Sequence, residues 1–370
     1  MRELDDKKTE ILKEYDKKHK VYESFAKQVE NLLMILIQND NIKISSIQSR
    51  VKEKQSLEKK IEKKQTVLSS EDKRSYKYNK LEDITDICGI RICTFYSDDV
   101  DKIADIIERE FLVDQGNSID KRKAIEPDRF GYLSLHYIVS LSEERQCLSE
   151  YTSFSDCKFE IQIRSILQHT WAEIEHDLGY KSSVGIPKEI RRDFSRLSSL
   201  LELADKEFLS IRNKLDSYQE AVKGSLITGQ DQNINIDRIS IKKLMDSDFF
   251  TQHVDYLEKK LGLKTKYYST SADIDDIVDA LNYLDINTID QLKYLLNKSK
   301  EMMILSLIDS DSIADRGIFF YCCYYLVIKN ELGLEVLQEV YSRLGIGDRA
   351  TKKRYAEFQK FYKKAATKTK

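Results

Sequence analysis

Phe159-Glu160-Ile161-Gln162-Ile163-Arg164 alternates strictly, so Phe159, Ile161 and Ile163 share one face of a strand and Glu160, Gln162 and Arg164 the other. The segment runs straight into Ser165-Ile166-Leu167-Gln168-His169-Thr170-Trp171-Ala172-Glu173, whose pattern is helical. The apolar face is made for a core. A carboxylate, an amide and a guanidinium in a row on the other face pack poorly, and they suit a wall that lines a nucleotide site.

Two further β-branched runs flank this strand in sequence: Gly89-Ile90-Arg91-Ile92-Cys93-Thr94-Phe95 and Tyr132-Leu133-Ser134-Leu135-His136-Tyr137-Ile138-Val139. Helical patterns over about 98–111 and 165–179 intervene, which predicts a sheet with helices packed on it, an α/β or α+β domain ending near Lys181. Upstream, about 5–38 is charged and helical, with an apolar stripe of Ile11, Leu12, Tyr15, Tyr22, Phe25, Val29, Leu32, Leu33 and Leu36. A second, strongly basic helix is expected from about 45 to 68. Downstream, Pro187 fits the first turn of a helix over about 188–222. The polar stretch 224–235 is the best linker candidate, and beyond about 240 the periodicity is helical, over 274–284, 289–308 and 318–344. The expected organisation is therefore an N-terminal helical segment 1–40, a central domain with its trailing helix 41–222, a linker 223–240 and an all-helical domain 241–370.

The composition bounds the function. With 370 residues and 41% hydrophobic, the chain can bury a sizeable core, and 2 prolines and 12 glycines favour helix. A net charge of −2 excludes a globally basic nucleic-acid binder, although local basic patches remain open. The cysteines Cys88, Cys93, Cys147, Cys157, Cys322 and Cys323 contain no C-x-x-C pair, and Met1-Arg2-Glu3-Leu4-Asp5 does not read as a signal peptide, so a reducing, cytoplasmic setting is expected. The longest apolar run, Ile318 to Ile328, has eleven residues and three tyrosines. It reads as a buried helix rather than a membrane span.

Three constellations carry chemistry. Asp86 precedes one strand and Glu160 lies on another; brought together, two carboxylates can hold Mg²⁺ with triphosphate oxygens, or they are a turn Asp and a salt-bridged strand Glu. Between Arg50 and Lys64 stand seven Lys or Arg against three Glu, with Lys52, Ser56, Lys59, Lys60 and Lys63 on one side of a helical projection: a polyphosphate clamp or a solvated face. In Phe130-Gly131-Tyr132-Leu133-Ser134-Leu135-His136, Tyr132, Ser134 and His136 share a face, where Tyr132 can stack on a base and His136 can donate to phosphate or ribose.

Taken in this order, Arg50-x-Lys52, Lys60, Lys63, then Asp86-Ile87-Cys88-Gly89-Ile90-Arg91-Ile92, then Gly131-Tyr132-x-Ser134-x-His136, then Glu160-Ile161-Gln162-Ile163-Arg164, the sequence resembles the synthetase domain of RelA/SpoT-type alarmone synthetases over roughly residues 40–185. The resemblance implies an α+β fold, a nucleotidyltransferase-like mixed sheet flanked by helices, here with an additional helical C-terminal domain. It implies transfer of the β,γ-pyrophosphate of ATP to the 3′-hydroxyl of GDP or GTP, giving (p)ppGpp. By the same resemblance Arg50, Lys52, Lys60, Lys63 and Arg91 hold ATP, and Asp86 and Glu160 bind Mg²⁺, Glu160 also helping to deprotonate the acceptor. Tyr132 stacks on the acceptor base, His136 and Gln162 hold its phosphate or ribose, and His169 lines its site. The spacing His169-x₃-Glu173-x₂-His176 also suggests a metal site, but the family reading has no zinc there. With five histidines in the chain no hydrolase domain is expected.

The chain departs from the family before Tyr132. Many guanosine-using members have Lys four residues upstream, where this chain has Asp128 with Arg129 beside it, and Lys121-Arg122-Lys123 is more basic than the usual acidic-Tyr-Ile pattern. Arg129 is thus an acceptor-site candidate, and the 3′ end of tRNA or an adenosine nucleotide stands as an alternative acceptor. An inactive nucleotide- or RNA-binding regulator is the non-enzymatic alternative. The aromatic helices after 241 are read as a plain bundle or as a regulatory segment, and the flanking amphipathic helices allow a homo-oligomer.

Overall fold

The computed structural model describes residues 2–68, 78–124, 134–180, 188–229, 234–266, 271–307, 313–344 and 351–368. They divide into two units, Met1–Arg212 and Asn213–Lys370.

In the first unit the elements run α1 (Arg2–Asn39), β1 (Ile44–Val51), α2 (Lys54–Leu68), β2 (Cys88–Thr94), α3 (Asp99–Glu110), β3 (Phe111–Val113), β4 (Ile119–Asp120), α4 (Lys121–Ala124), β5 (Leu135–Leu141), α5 (Glu143–Gln146), β6 (Phe159–Ser165), α6 (Ile166–Tyr180) and the start of α7 (Lys188–Thr228). The strands form one mixed sheet in the order β1-β2-β6-β5-β3, with β4 also on β5. Only β2 and β6 run parallel; β1–β2, β5–β6, β3–β5 and β4–β5 are antiparallel. The expected α+β class, a mixed sheet with flanking helices, therefore holds.

Alternation decides which sheet face is buried. Ile90, Ile92, Ile161, Ile163, Leu135 and Val139 join a core with α1 residues Phe25, Val29, Leu33 and Ile37, and Phe159 sits edge-on to Phe25 and to Phe111. Phe25, Val29 and Leu33 are fully buried, so truncating any one of them costs roughly 2–5 kcal/mol. The expected N-terminal helical segment is thus part of this core.

Three expectations change here. The basic helix expected over 45–68 is a strand followed by a shorter helix. Ile47 and Val51 stand four residues apart, a spacing that a helix and a strand both place on one face, and both pack toward the core from β1. The run 318–344 is likewise two helices. The expected linker 223–240 is not a free connector: α7 continues to Thr228, and Ile234 and Ile236 are buried in the second core.

That second unit contains α8 (Arg238–Met245), α9 (Asp248–Leu261), β7 (Thr265–Lys266), α10 (Ser271–Tyr283), α11 (Ile289–Leu307), β8 (Ile313–Ala314), α12 (Asp315–Lys329), α13 (Gly333–Arg343) and α14 (Thr351–Lys368). Glu331 (φ 57°) and Gly333 (φ 91°) turn the chain between α12 and α13. The domain expected to be all-helical carries one two-residue parallel pair, β7 with β8, too short to leave a periodic signal. The Ile318–Ile328 run is buried, as expected, around Phe319, Cys322, Cys323 and Val327. No helix among the described residues is long and apolar enough to cross a membrane.

His253 on α9 is 1% exposed, and neither ring nitrogen finds a hydrogen-bond partner among the described residues. Burial, reinforced by the nearby Lys300 charge, pushes its pKa down to about 4. The folded value lies below the unfolded one of about 6.5, so falling pH protonates the unfolded chain first. Stability is full above about pH 6.5 and is lost as the pH falls toward about 4, on the order of 2 kcal/mol by pH 5. Urea unfolding of the second unit at pH 7.5 and pH 5 should show this loss in the native chain and a smaller one in His253→Leu; equal losses would contradict it.

Candidate active site

The face of the sheet opposite α1 is polar because of the register. Antiparallel and parallel pairing align Gln48, Arg91, Gln162 and His136 in one row across four strands, and Arg50, Gly89, Glu160 and Ile138 in the next. Directly paired residues lie on the same face. Gly89 puts no side chain between Arg50 and Glu160, and a pocket opens there, lined by Gln48, Arg50, Gly89, Arg91 and Gln162.

Asp86 lies just before β2. Its Oδ2 accepts from Lys60 Nζ at 2.6 Å and Lys52 Nζ at 3.2 Å, so strand β1 and helix α2 each send one ammonium to it. The strand continues far enough for Lys52 N–H to donate to Ile87 C=O at 2.8 Å, and the Tyr15 hydroxyl of α1 donates to the Lys52 carbonyl. Burial raises the Asp86 pKa, but Lys60 and Lys52 outweigh it and hold the carboxyl below its usual range. Its Oδ1 is buried with no hydrogen-bond partner among the described residues.

Glu160 is a second, differently held carboxylate. His136 Nδ1 lies 2.8 Å from Oε1, and Gln162 Nε2 donates to Oε2 at 3.0 Å. An ionised carboxylate only accepts, so Nδ1 carries the hydrogen and, in the neutral ring, Nε2 accepts from the Ser134 hydroxyl at 2.7 Å. Burial raises the Glu160 pKa, yet His136 and Gln162 outweigh both burial and repulsion from Asp86 and keep it below the usual range. Lys121, at the start of α4, feels the charges of Glu160 and Arg164 while burial lowers its own pKa.

A third group surrounds Glu173 on α6. Its Oε1 lies 3.0 Å from Arg91 Nη1, 3.3 Å from Arg164 Nη2 and 3.8 Å from His169 Nδ1. Burial, then Arg164 and Arg91, lower the His169 pKa. Behind this group Ser165 Oγ donates to Asp205 of α7 at 2.7 Å and Trp171 Nε1 to the Phe194 carbonyl at 3.2 Å, which fixes the β6–α6 junction.

The structure thus brings together Asp86, Lys52, Lys60, Glu160, His136, Gln162, Arg50 and Arg91, with His169 beside Arg91 through Glu173. Lys63 is exposed on α2, one turn beyond Lys60. Tyr132 and Arg129 lie outside the described residues. Lys52, expected on the basic helix, instead extends β1. Gln48, Lys121 and Glu173 were not assigned to this site from sequence; recognising β1 as a strand exposes Gln48, which alternates with Arg50 and Lys52.

Chemically, the site pairs two ionised carboxylates with lysines and arginines on an open sheet face. That arrangement can neutralise and position polyphosphate.

Residues 49–184 match the family described as "Region found in RelA / SpoT proteins". The chain is 29% identical over 163 residues to GTP pyrophosphokinase YjbM of Bacillus subtilis, a match covering 42% of this chain and 70% of that protein. It is 31% identical over 137 residues to GTP pyrophosphokinase YwaC of the same organism, covering 36% of this chain and 61% of that one. The crystal structure of small alarmone synthetase 1 from Bacillus subtilis bound to its product pppGpp aligns with a TM-score of 0.44 at 23% identity, over 55% of this chain and 99% of that one.

Replacing His136 with Phe removes a donor to Glu160 without opening the strand. Carboxyl-detected NMR should then show the Glu160 titration moving up; an unmoved titration would contradict the role given to this bond.

Proposed function

Residues 49–184 are a RelA/SpoT region, and on that premise we propose that the chain is an ATP-dependent pyrophosphokinase that moves the β,γ-pyrophosphate of ATP to the 3′-hydroxyl of GDP or GTP, giving (p)ppGpp. The observation that carries this reading is the pair of carboxylates, Asp86 just before β2, bound by Lys52 and Lys60, and Glu160 on the neighbouring β6, bound by His136 and Gln162. Similarity to two GTP pyrophosphokinases supports the reaction class.

Lys52, Lys60, Arg50 and Arg91 take the donor phosphates. Exchanging carboxylate partners for phosphate oxygens keeps every charge compensated. Asp86 and Glu160 hold Mg²⁺: the buried, unpartnered Oδ1 of Asp86 fits a hard cation that prefers one or two carboxylates and completes its shell with phosphate and water. When bound, the ion neutralises charge on the transferred group. Glu160, ionised at neutral pH, accepts a hydrogen bond from the acceptor 3′-hydroxyl and receives its proton. His136 and Gln162 fix the Glu160 carboxylate and hold the ribose or phosphate. Alignment and neutralisation supply most of the rate in such in-line transfers.

A guanosine nucleotide is favoured over the 3′ end of tRNA. Of the basic triplet before Tyr132, Arg122 is already neutralised, by Asp120 at 3.0 Å and Asp101 at 2.8 Å, which weakens the loop as a polyanion site. All six cysteines are free thiols, which fits the cytoplasm. The exposed Leu197, Leu200, Leu203, Phe208 and Ile211 of α7 support a homo-oligomer in which a second copy covers them.

Glu160→Gln keeps shape and removes the charge. With γ-labelled ATP and GDP, GTP, AMP, ADP or bulk tRNA as separate acceptors, the native chain should label GDP or GTP, and this variant should fall at least about a hundredfold. Labelling of tRNA alone would overturn the acceptor, and unchanged turnover in the variant would overturn the mechanism.

A further inference from the structure

We infer that Glu173 is an internal stand-in for a donor phosphate: in the free chain its carboxylate occupies the point where Arg91, Arg164 and His169 converge, and the incoming nucleotide displaces it. The inference rests on the donor site proposed above and names a competitor built into that site.

Three observations support displacement over a structural anchor. The first is stoichiometry of contacts. All three neighbours approach the same oxygen, Oε1, at 3.0, 3.3 and 3.8 Å. A carboxylate that anchors structure here is held differently: Glu30 takes the Ser49 backbone N–H at 3.0 Å and the Ser49 hydroxyl on Oε2, and Lys27 at 2.7 Å on Oε1.

The second is exposure. The Glu173 side chain is 52% exposed, whereas Arg164 is 3% and Arg91 24% exposed. The cations are fixed by strands β2 and β6, and the anion is a side chain on a helix surface with room to swing into water.

The third is charge. Two guanidinium groups that stay ionised at any working pH converge on one carboxylate. The His169 Nδ1, buried and without a hydrogen-bond partner among the described residues, adds an unfilled polar position. A phosphate offers more oxygens and more charge than Glu173 and can meet both guanidiniums in the bidentate manner they favour. Arg91 also lines the pocket over Gly89 together with Arg50, so a donor entering that pocket reaches Arg91 where Glu173 now sits.

The consequence is a built-in reduction of donor affinity. Calorimetry with Mg²⁺ and a non-hydrolysable ATP analogue, on the full chain, reads it directly. Glu173→Gln and Glu173→Ala should each tighten analogue binding by about two- to fivefold, the range expected for freeing a partly exposed ion pair, and lower KM for ATP by the same factor. GDP affinity should not change. In an Arg91→Ala background the gain from Glu173→Gln should shrink, because the competition it relieves is largely gone. Equal or weaker analogue binding in both variants, with melting temperatures unchanged, would overturn the inference and make Glu173 neutral or a support for Arg91. Failure of the native chain and of every variant to bind the analogue would instead overturn the donor-site reading itself, and the inference with it.

Discussion

The parallel pairing of β2 with β6 is the constraint on which the site depends. It sets Gly89 beside Glu160, Arg91 beside Gln162 and Cys93 beside Arg164, and antiparallel neighbours on each side extend the same rows to Arg50, Gln48 and His136. A shift of one residue in that register turns Glu160 and Gln162 into the core and Ile161 and Ile163 onto the site face. Phe159, Ile161 and Ile163, buried against α1 and α3, therefore hold the polar face in place by occupying the other one.

A half-buried face bearing this many charges is stable only if each charge has a partner, and the partners here are one another. Lys52 and Lys60 share Asp86; His136 and Gln162 share Glu160; Arg91 and Arg164 share Glu173. The three clusters differ in what they leave open. Asp86 keeps one buried oxygen without a hydrogen-bond partner among the described residues, each Glu160 oxygen has one partner and a further lone pair, and the Glu173 side chain is half exposed. On the proposed function, bound polyphosphate would exchange internal ion pairs for ligand ones, so the free site is preorganised at little electrostatic cost.

Much of this was legible in the sequence, and what was not has identifiable causes. Strict alternation exposed the two faces of β6, and Asp86, Gly89 and Arg91 announced β2 because no irregularity interrupts either strand. In β1 the apolar pair Ile47 and Val51 has a spacing shared by helix and strand, and the strand runs almost directly into the lysine-rich α2, so the two read as one basic helix; Arg50 and Lys52 were recognised as residues but Gln48 was missed. Glu173 was visible only through its spacing from His169 and His176 along one helix; its partners Arg91 and Arg164 come from strands, a juxtaposition that helical periodicity does not encode. The break between α12 and α13 depends on two residues with positive φ inside an apolar run, where the hydrophobic pattern alone is continuous.

The central claim is that this face transfers a pyrophosphoryl group as a unit. The ratio of adenosine products measures it most directly: chromatography of a reaction containing ATP, Mg²⁺ and GDP or GTP, sampled before depletion. The account expects one AMP for each pyrophosphorylated acceptor and no matching ADP, because both outer phosphates leave together. ADP formed in step with a phosphorylated acceptor, or AMP accompanied only by free pyrophosphate, would contradict it.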